Sequence, residues 1–121
     1  MDDKIKGLCL ENLFDVDSHQ NEYVWRPFHE GIEVSDLQES DYPGTRAALL
    51  RYKAGANVPE HEHPVMEYIF ILSGTQFDGE REYGPGSMMI ISFPGSTHAI
   101  SSVDGCIVLA IWEAPVKFLN R

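Results

Sequence analysis

The stretch GANVPEHEHPVMEYIFILSG, residues 55–74, decides both the predicted fold and the predicted site. His61 and His63 lie one residue apart, and Glu67 follows four residues after the second histidine. The three share one parity along an extended chain, and because side chains alternate across a strand, they are predicted to point to the same side. Ile69 and Ile71 continue that parity, so the polar group is expected to open onto a hydrophobic interior.

These residue types suit a metal ion. Imidazole nitrogens and a carboxylate oxygen are ligands of first-row divalent metals, and two histidines with one carboxylate make a facial triad. His98 offers a third imidazole in FPGSTHAISS, just after a turn at Pro94-Gly95. The HEH motif taken alone fits a polar surface strand about equally well. A carboxylate held over the core would be costly unless neutralised or bound to metal, which favours the metal site.

The rest of the chain has an all-β pattern. Short runs of β-branched and aromatic residues recur between Gly and Pro signals, whereas apolar periodicity near 3.6 is hard to find. A helix is possible only near the amino terminus. The predicted strands are residues 31–37, 46–53, 65–72, 87–93, 98–103 and 106–112. Such short, evenly spaced strands predict a single sandwich or barrel.

Two strands carry further expectations. The apolar run Met88–Ile91 is predicted to be a strand buried on both faces. Tyr68, Phe70 and Leu72 have the parity opposite to Glu67, which predicts either a second sheet packed on that face or a dimer surface.

Composition excludes several classes of function. The 121 residues fit one domain, and 19 acidic against 9 basic residues give a net charge of -10, which disfavours nucleic acid and anionic lipid as partners. No run is apolar and long enough for a membrane span, and no secretory signal is recognisable, so a cytoplasmic protein is expected. Cys9 and Cys106 belong to no zinc-finger pattern and are expected to stay reduced, with Cys106 buried in CIVLAIW.

Other polar residues receive no role from the sequence. His19 and His29 lie outside the motifs and are expected at the surface. Arg51 and Tyr52 are neighbours on one strand, so at most one of them lines an interior cavity. The acidic segment around Asp78 is expected to be a solvated hairpin connection.

The spacing within residues 55–74 resembles the first motif of the cupin superfamily without a gap, from Gly55 through the three site residues to Gly74. The second motif, residues 86–98, is similar in Gly86, Pro94-Gly95 and His98, although the terminal Asn of its fuller form is missing. The wider stretch 25–112 resembles the cupin module of zinc-dependent anti-sigma factors and small diketone or acetophenone dioxygenases.

The resemblance implies a double-stranded β-helix, the RmlC-like cupin jelly roll, forming one domain over residues 1–121. It implies that His61, His63, Glu67 and His98 bind one divalent metal ion per chain: iron, zinc, nickel or manganese.

Two functions follow from this resemblance. One is a non-haem, metal-dependent dioxygenase-like enzyme acting on a small ketone, diketone or aromatic ketone, with no catalytic residue assigned beyond the metal centre. The other is a zinc-binding sensor or regulatory module without catalysis. The expected partners are a small-molecule substrate or effector and a second copy of the chain, since cupin barrels commonly pair.

Overall fold

The computed structural model describes residues 9–38, 44–63, 66–91 and 96–112, and of residues 59–63 and 96–98 it describes the backbone. Three short helical turns come first, a 3-10 turn at Leu13–Asp15, the helix α1 at Val16–His19 and a 3-10 turn at Gln20–Glu22. Residues 13–22 are called the N-terminal segment below. None of the helices in the described ranges is long and apolar enough to cross a membrane.

Ten strands follow within the described ranges, arranged in two antiparallel sheets. The six-stranded sheet has the order β1-β2-β3-β10-β5-β8, with β1 at Arg26–His29, β2 at Ile32–Asp36, β3 at Arg46–Tyr52, β10 at Cys106–Trp112, β5 at Glu67–Gly74 and β8 at Met88–Ile91. The four-stranded sheet has the order β4-β9-β6-β7, with β4 at Ala56–His63, β9 at Ser96–Ser102, β6 at Gln76–Phe77 and β7 at Glu82–Tyr83.

The two sheets enclose one hydrophobic core, called the interior cluster. The six-stranded sheet contributes Val34, Leu50 and Val108 among others, and the four-stranded sheet contributes Val58 and Ile100. Side chains alternate between the two faces along each strand, so residues two apart share a face and only one face of each sheet contributes to this core. The predicted all-β, two-layer jelly-roll arrangement is therefore confirmed.

A second cluster lies on the outer face of the six-stranded sheet. Val16 of the N-terminal segment packs there on Leu49, Leu72 and Ile107. At the same face, Arg51 donates a hydrogen bond to the Gln20 side chain of the segment. The N-terminal segment thus takes the place of a second sheet over this part of the face.

Two expectations about strands need correction. The face opposite Glu67 was expected to be covered by a second sheet or by a dimer partner. At Leu72 the N-terminal segment covers it instead. The strand Met88–Ile91 is not buried on both faces, since Met88 is 50% exposed and Ile90 57%. It lies at the edge of its sheet, where only one face meets the core.

The six predicted strands are all present, with ends shifted by a few residues where the structure describes them. Strands β1, β6 and β7 were not predicted, and of β4 only the part with His61 and His63 was taken as a strand. The segment around Asp78 is a tight connection between β6 and β7, as expected, with the Asp78 carboxylate accepting hydrogen bonds from the backbone N–H groups of Glu80 and Arg81.

Candidate metal centre

Two of the predicted histidine ligands meet across a strand pair. In the register of β4 with β9, His61 lies opposite His98 and His63 lies opposite Ser96. Directly opposed residues in an antiparallel pair have Cα atoms about 4.5–5.5 Å apart. The backbones therefore bring these two histidines together although 36 positions separate them in the chain.

A bulge in β4 creates this register. Val58 pairs with Ile100, yet the next pair is His61 with His98, so three steps along β4 match two along β9. Pro59 lies in the extra-residue interval, and proline suits a bulge because it has no N–H to donate to the ladder. In a regular strand without the extra residue, Glu60 and Glu62 would share the parity of buried Val58. With the bulge, the positions of His61 and His63 take that parity instead.

Glu67 lies in the other sheet. It begins β5, where it pairs with Trp112 of β10 and Ile91 of β8, and it is 7% exposed. The interpretation of His61, His63 and Glu67 as one continuous strand is wrong, because β4 ends at His63 and β5 starts a new sheet at Glu67. The parity of Glu67 with Ile69 and Ile71 is confirmed, since all three are buried.

The three histidine positions and Glu67 belong to the same end of the barrel. Strand β4 starts at Ala56, near the end of β3, and runs to His63. Three residues then connect His63 to Glu67. Among residues whose side chains are described, no group of three His, Cys, Asp or Glu forms a metal cluster, and the side chains of the three histidines lie outside that set.

Sequence analysis missed two polar residues at this end. Arg46 of β3 pairs with Trp112 of β10, which pairs in turn with Glu67. Arg46 is 7% exposed and Trp112 8%. The Trp112 indole Nε1 has no hydrogen-bond partner among the described residues. The signal was present in RAALLRY, where Arg46 has the parity of Ala48 and Leu50.

An aspartate joins Arg46 to a second arginine. Asp36 of β2 accepts a hydrogen bond from Arg26 Nε at 2.9 Å and a longer one from Arg46 Nη2 at 3.5 Å, and Arg26 Nη2 forms an ion pair with it at 2.8 Å. Two guanidinium groups thus meet at one carboxylate, at the end of β2 and the beginning of β3.

The opposite end of the interior holds a different polar group. Gln76 Nε2 donates to the sulfur of Cys106 at 3.6 Å, and Tyr52, which lies in the interior cluster, also contacts Gln76. Burial, with smaller contributions from Cys106 and Glu67, raises the pKa of Tyr52 well above its usual value. Tyr52 is therefore neutral, and it is the member of the Arg51–Tyr52 pair that faces the interior.

The thiol of Cys106 is also neutral, because burial raises its pKa. A cleft of about 340 Å³ lies outside this end, lined by Asp17, Arg51, Ser73 and Asp104 among others. It is separate from the row that contains Glu67, since Cys106 and Glu67 lie at opposite ends of the β5–β10 pairing.

Comparison with solved structures supports the architecture. The chain matches a chain of Rhodobacter sphaeroides SigE in complex with the anti-sigma ChrR at 25% identity and a TM-score of 0.67, covering 80% of this chain and 53% of that one. An RmlC-like cupin from Ralstonia eutropha JMP134 matches at 18% identity and a TM-score of 0.70, covering 95% and 73%. A Methylibium petroleiphilum PM1 protein assigned as an acetylacetone dioxygenase matches at 18% and 0.70, covering 98% and 84%.

The present chain thus spans about half the length of the chain from the SigE–ChrR complex. A comparison with curated proteins gave no significant match. The sequence profile of the ChrR cupin-like domain matches residues 15–114, which include every strand and all four predicted ligands. The chain therefore belongs to the ChrR cupin-like domain family.

Proposed function

We propose that the chain binds one divalent metal ion through His61, His63, Glu67 and His98. The observation that carries the proposal is the register of β4 with β9, in which His61 and His98 are directly opposed. His98 also lies two positions from Ile100 of the interior cluster. A buried carboxylate at the same end of the barrel supplies the negative charge that a cation needs.

The metal would serve an oxygenase-type reaction on a small ketone, diketone or aromatic ketone. When bound, a divalent ion acts as a Lewis acid that polarises a carbonyl oxygen. Ile69 lies two residues after Glu67 on β5 and pairs with Ala110 and Met89 on the neighbouring strands. These apolar residues would exclude bulk water from the substrate. Dioxygen is the co-substrate, and both of its oxygen atoms enter the products when a carbon–carbon bond of a diketone is cleaved.

The family match supports a second candidate, a zinc-binding sensor or regulatory module. The similarity at 25% identity is to a chain from a complex of a sigma factor with an anti-sigma factor. A tetrahedral zinc ion bound by all four residues would have no position left for a substrate, so it would stabilise the barrel without catalysis. The two candidates therefore differ in metal identity and in open coordination positions.

Metal analysis by mass spectrometry tests the proposal on protein purified without an affinity tag. Near one ion per chain is expected in the native sequence, with loss in His61→Ala and His98→Ala. His19→Ala is the matched control, because His19 lies in the N-terminal segment, in contact with Asp15 and Glu22. Absence of metal from every preparation would refute the site.

The identity of the metal separates the two candidates. Iron, nickel or manganese, with oxygen uptake on addition of a diketone, would support the enzyme. Stoichiometric zinc without oxygen uptake would support the sensor.

We also propose that a second copy of the chain covers the exposed end of the outer sheet face. Met88 and Ile90 of the edge strand β8 present apolar side chains there, and Tyr68 pairs with Ile90 on that face. Light scattering should give a dimer for the native chain and a monomer for Ile90→Glu. A native monomer at micromolar concentration would contradict the pairing.

A further inference from the structure

One row of the six-stranded sheet places a buried cation and a buried indole beside Glu67. The register runs from Arg46 through Trp112 to Glu67 on three adjacent strands. All three are buried, and Trp112 belongs to the interior cluster. We propose that Arg46 and Trp112 recognise a carboxylate on the substrate, so that the substrate is an oxo acid. This inference rests on the proposed function, because it names the substrate class of that metal site.

Trp112 supplies the first argument. Its indole nitrogen is a donor only, and the described residues give it no acceptor. A buried donor without an acceptor destabilises a protein, so such groups in native structures usually meet a ligand or an ordered water. Because Trp112 adjoins Glu67 in the register, an acceptor that satisfies the indole lies next to the proposed metal ion.

Arg46 supplies the second argument. Its guanidinium carries five N–H donors in one plane, so it can bind Asp36 and another acceptor together. A guanidinium matches a carboxylate with two parallel hydrogen bonds, a geometry that a single ketone oxygen cannot reproduce. Arg26 adds a second positive charge at Asp36, so one carboxylate faces two guanidinium groups there.

The spacing of the row fits a short molecule. Neighbouring strands lie about 4.8 Å apart, so the backbones of Arg46 and Glu67 are separated by roughly 10 Å with Trp112 between them. A molecule of five or six carbons, with a 1,3-dicarbonyl at one end and a carboxylate at the other, would extend from the metal ion to Arg46.

The net charge of the chain sharpens the argument. At -10, the chain as a whole repels small anions. Selection of an anionic substrate therefore needs a local excess of positive charge. Arg26 and Arg46 balance Asp36 and Glu67, so the bound metal ion would provide that excess. A neutral ketone would need neither arginine.

Two probes with the same chelating group test the inference. Acetylacetone and 2,4-dioxopentanoate both carry a 1,3-dicarbonyl, and they differ by a methyl group replaced with a carboxylate. Each is titrated calorimetrically into the metal-loaded native protein. We expect 2,4-dioxopentanoate to bind about tenfold more tightly or better.

The variants show whether a difference in affinity comes from contacts with Arg46 and Trp112 or from the way each probe binds the metal ion. Arg46→Gln and Trp112→Phe should each lower the affinity ratio of the two probes by about fivefold or more, with acetylacetone binding changed less than about twofold. The matched controls are Arg81→Gln, with the same charge change in the exposed β6–β7 connection, and Trp25→Phe, at the outer face. Both should leave the ratio unchanged.

Each outcome decides something. Equal binding of the probes to the native protein, or a ratio that survives both substitutions, would overturn the inference while leaving the metal centre intact. Failure of a metal-loaded protein to bind either probe would overturn the proposed substrate site and the inference with it. Should Arg46→Gln fail to fold, because Arg46 is buried against Asp36, Trp112→Phe decides alone.

Discussion

Replacing Arg51 with methionine should weaken the docking of the N-terminal segment on the barrel and lower stability measurably. Arg51 Nε and Nη2 donate to one Glu33 oxygen at 2.8 and 2.6 Å, and Nη1 donates to Gln20 Oε1 at 2.9 Å. The guanidinium also lies 4.2 Å from the centre of the Trp25 ring. Methionine keeps the aliphatic stem over the indole but removes the charge and all three hydrogen bonds.

The magnitude follows from these contacts. The Arg51–Glu33 ion pair is discounted for solvent because the side chains are 24% and 40% exposed, which leaves about 0.5 kcal/mol. The bond to Gln20 contributes about 1 kcal/mol and the stacking on Trp25 about 0.5 kcal/mol. The total is about 2 kcal/mol. For a domain of this length, that lowers Tm by roughly 8 °C.

Circular dichroism melting of the metal-free protein is the assay, since metal binding would add its own stabilisation. Arg81→Met is the matched control, because it removes an equal charge from the exposed connection between β6 and β7. The control should melt within about 1 °C of the native protein. If Arg51→Met lowers Tm by less than about 2 °C, the conclusion that this arginine holds the N-terminal segment on the barrel is refuted.

Three further predictions address the outer cluster, the β6–β7 connection and the metal centre. Leu72→Ala should cost about 2–4 kcal/mol in urea unfolding, because Leu72 is fully buried beneath the N-terminal segment. Asp78→Asn should destabilise the protein at neutral pH but not in acid. Backbone N–H groups lower the pKa of Asp78, so its stabilisation is present above the unfolded-state pKa and is lost as pH falls through the folded-state pKa; unfolding across pH 2–7 checks this. In Trp25→Phe, Trp112 is the remaining indole, and its fluorescence should change on metal addition and recover with a chelator.

Much of the fold could be predicted because its signals are local. Strand β10 has its predicted bounds, since CIVLAIW is a continuous apolar run between two turns. The beginning of strand β4 was missed because ANVPEHEH contains a proline and four charged or polar residues at its end. The exposure of β8 depends on its position at the sheet edge, which the sequence of one strand does not encode.

The site illustrates a different limit. The cupin-like spacing selects His61, His63, Glu67 and His98, yet the parity argument for the first three assumed one strand where there are two. Their common location depends on the bulge at Pro59 and on the sheets facing each other, both of which are long-range features.

The burial of Arg46 could be predicted from its local sequence, but the partner of its guanidinium could not. In RAALLRY, the arginine has the parity of the core, and a buried arginine is rare unless it is paired. The parity alone does not say which partner it meets. Only the register, which places Trp112 and Glu67 on the adjacent strands, links that cation to the predicted metal ion. A charged residue at core parity, two strands away from a predicted ligand, is therefore better explained by substrate recognition than by stability, because a buried ion pair contributes little net stability compared with apolar packing.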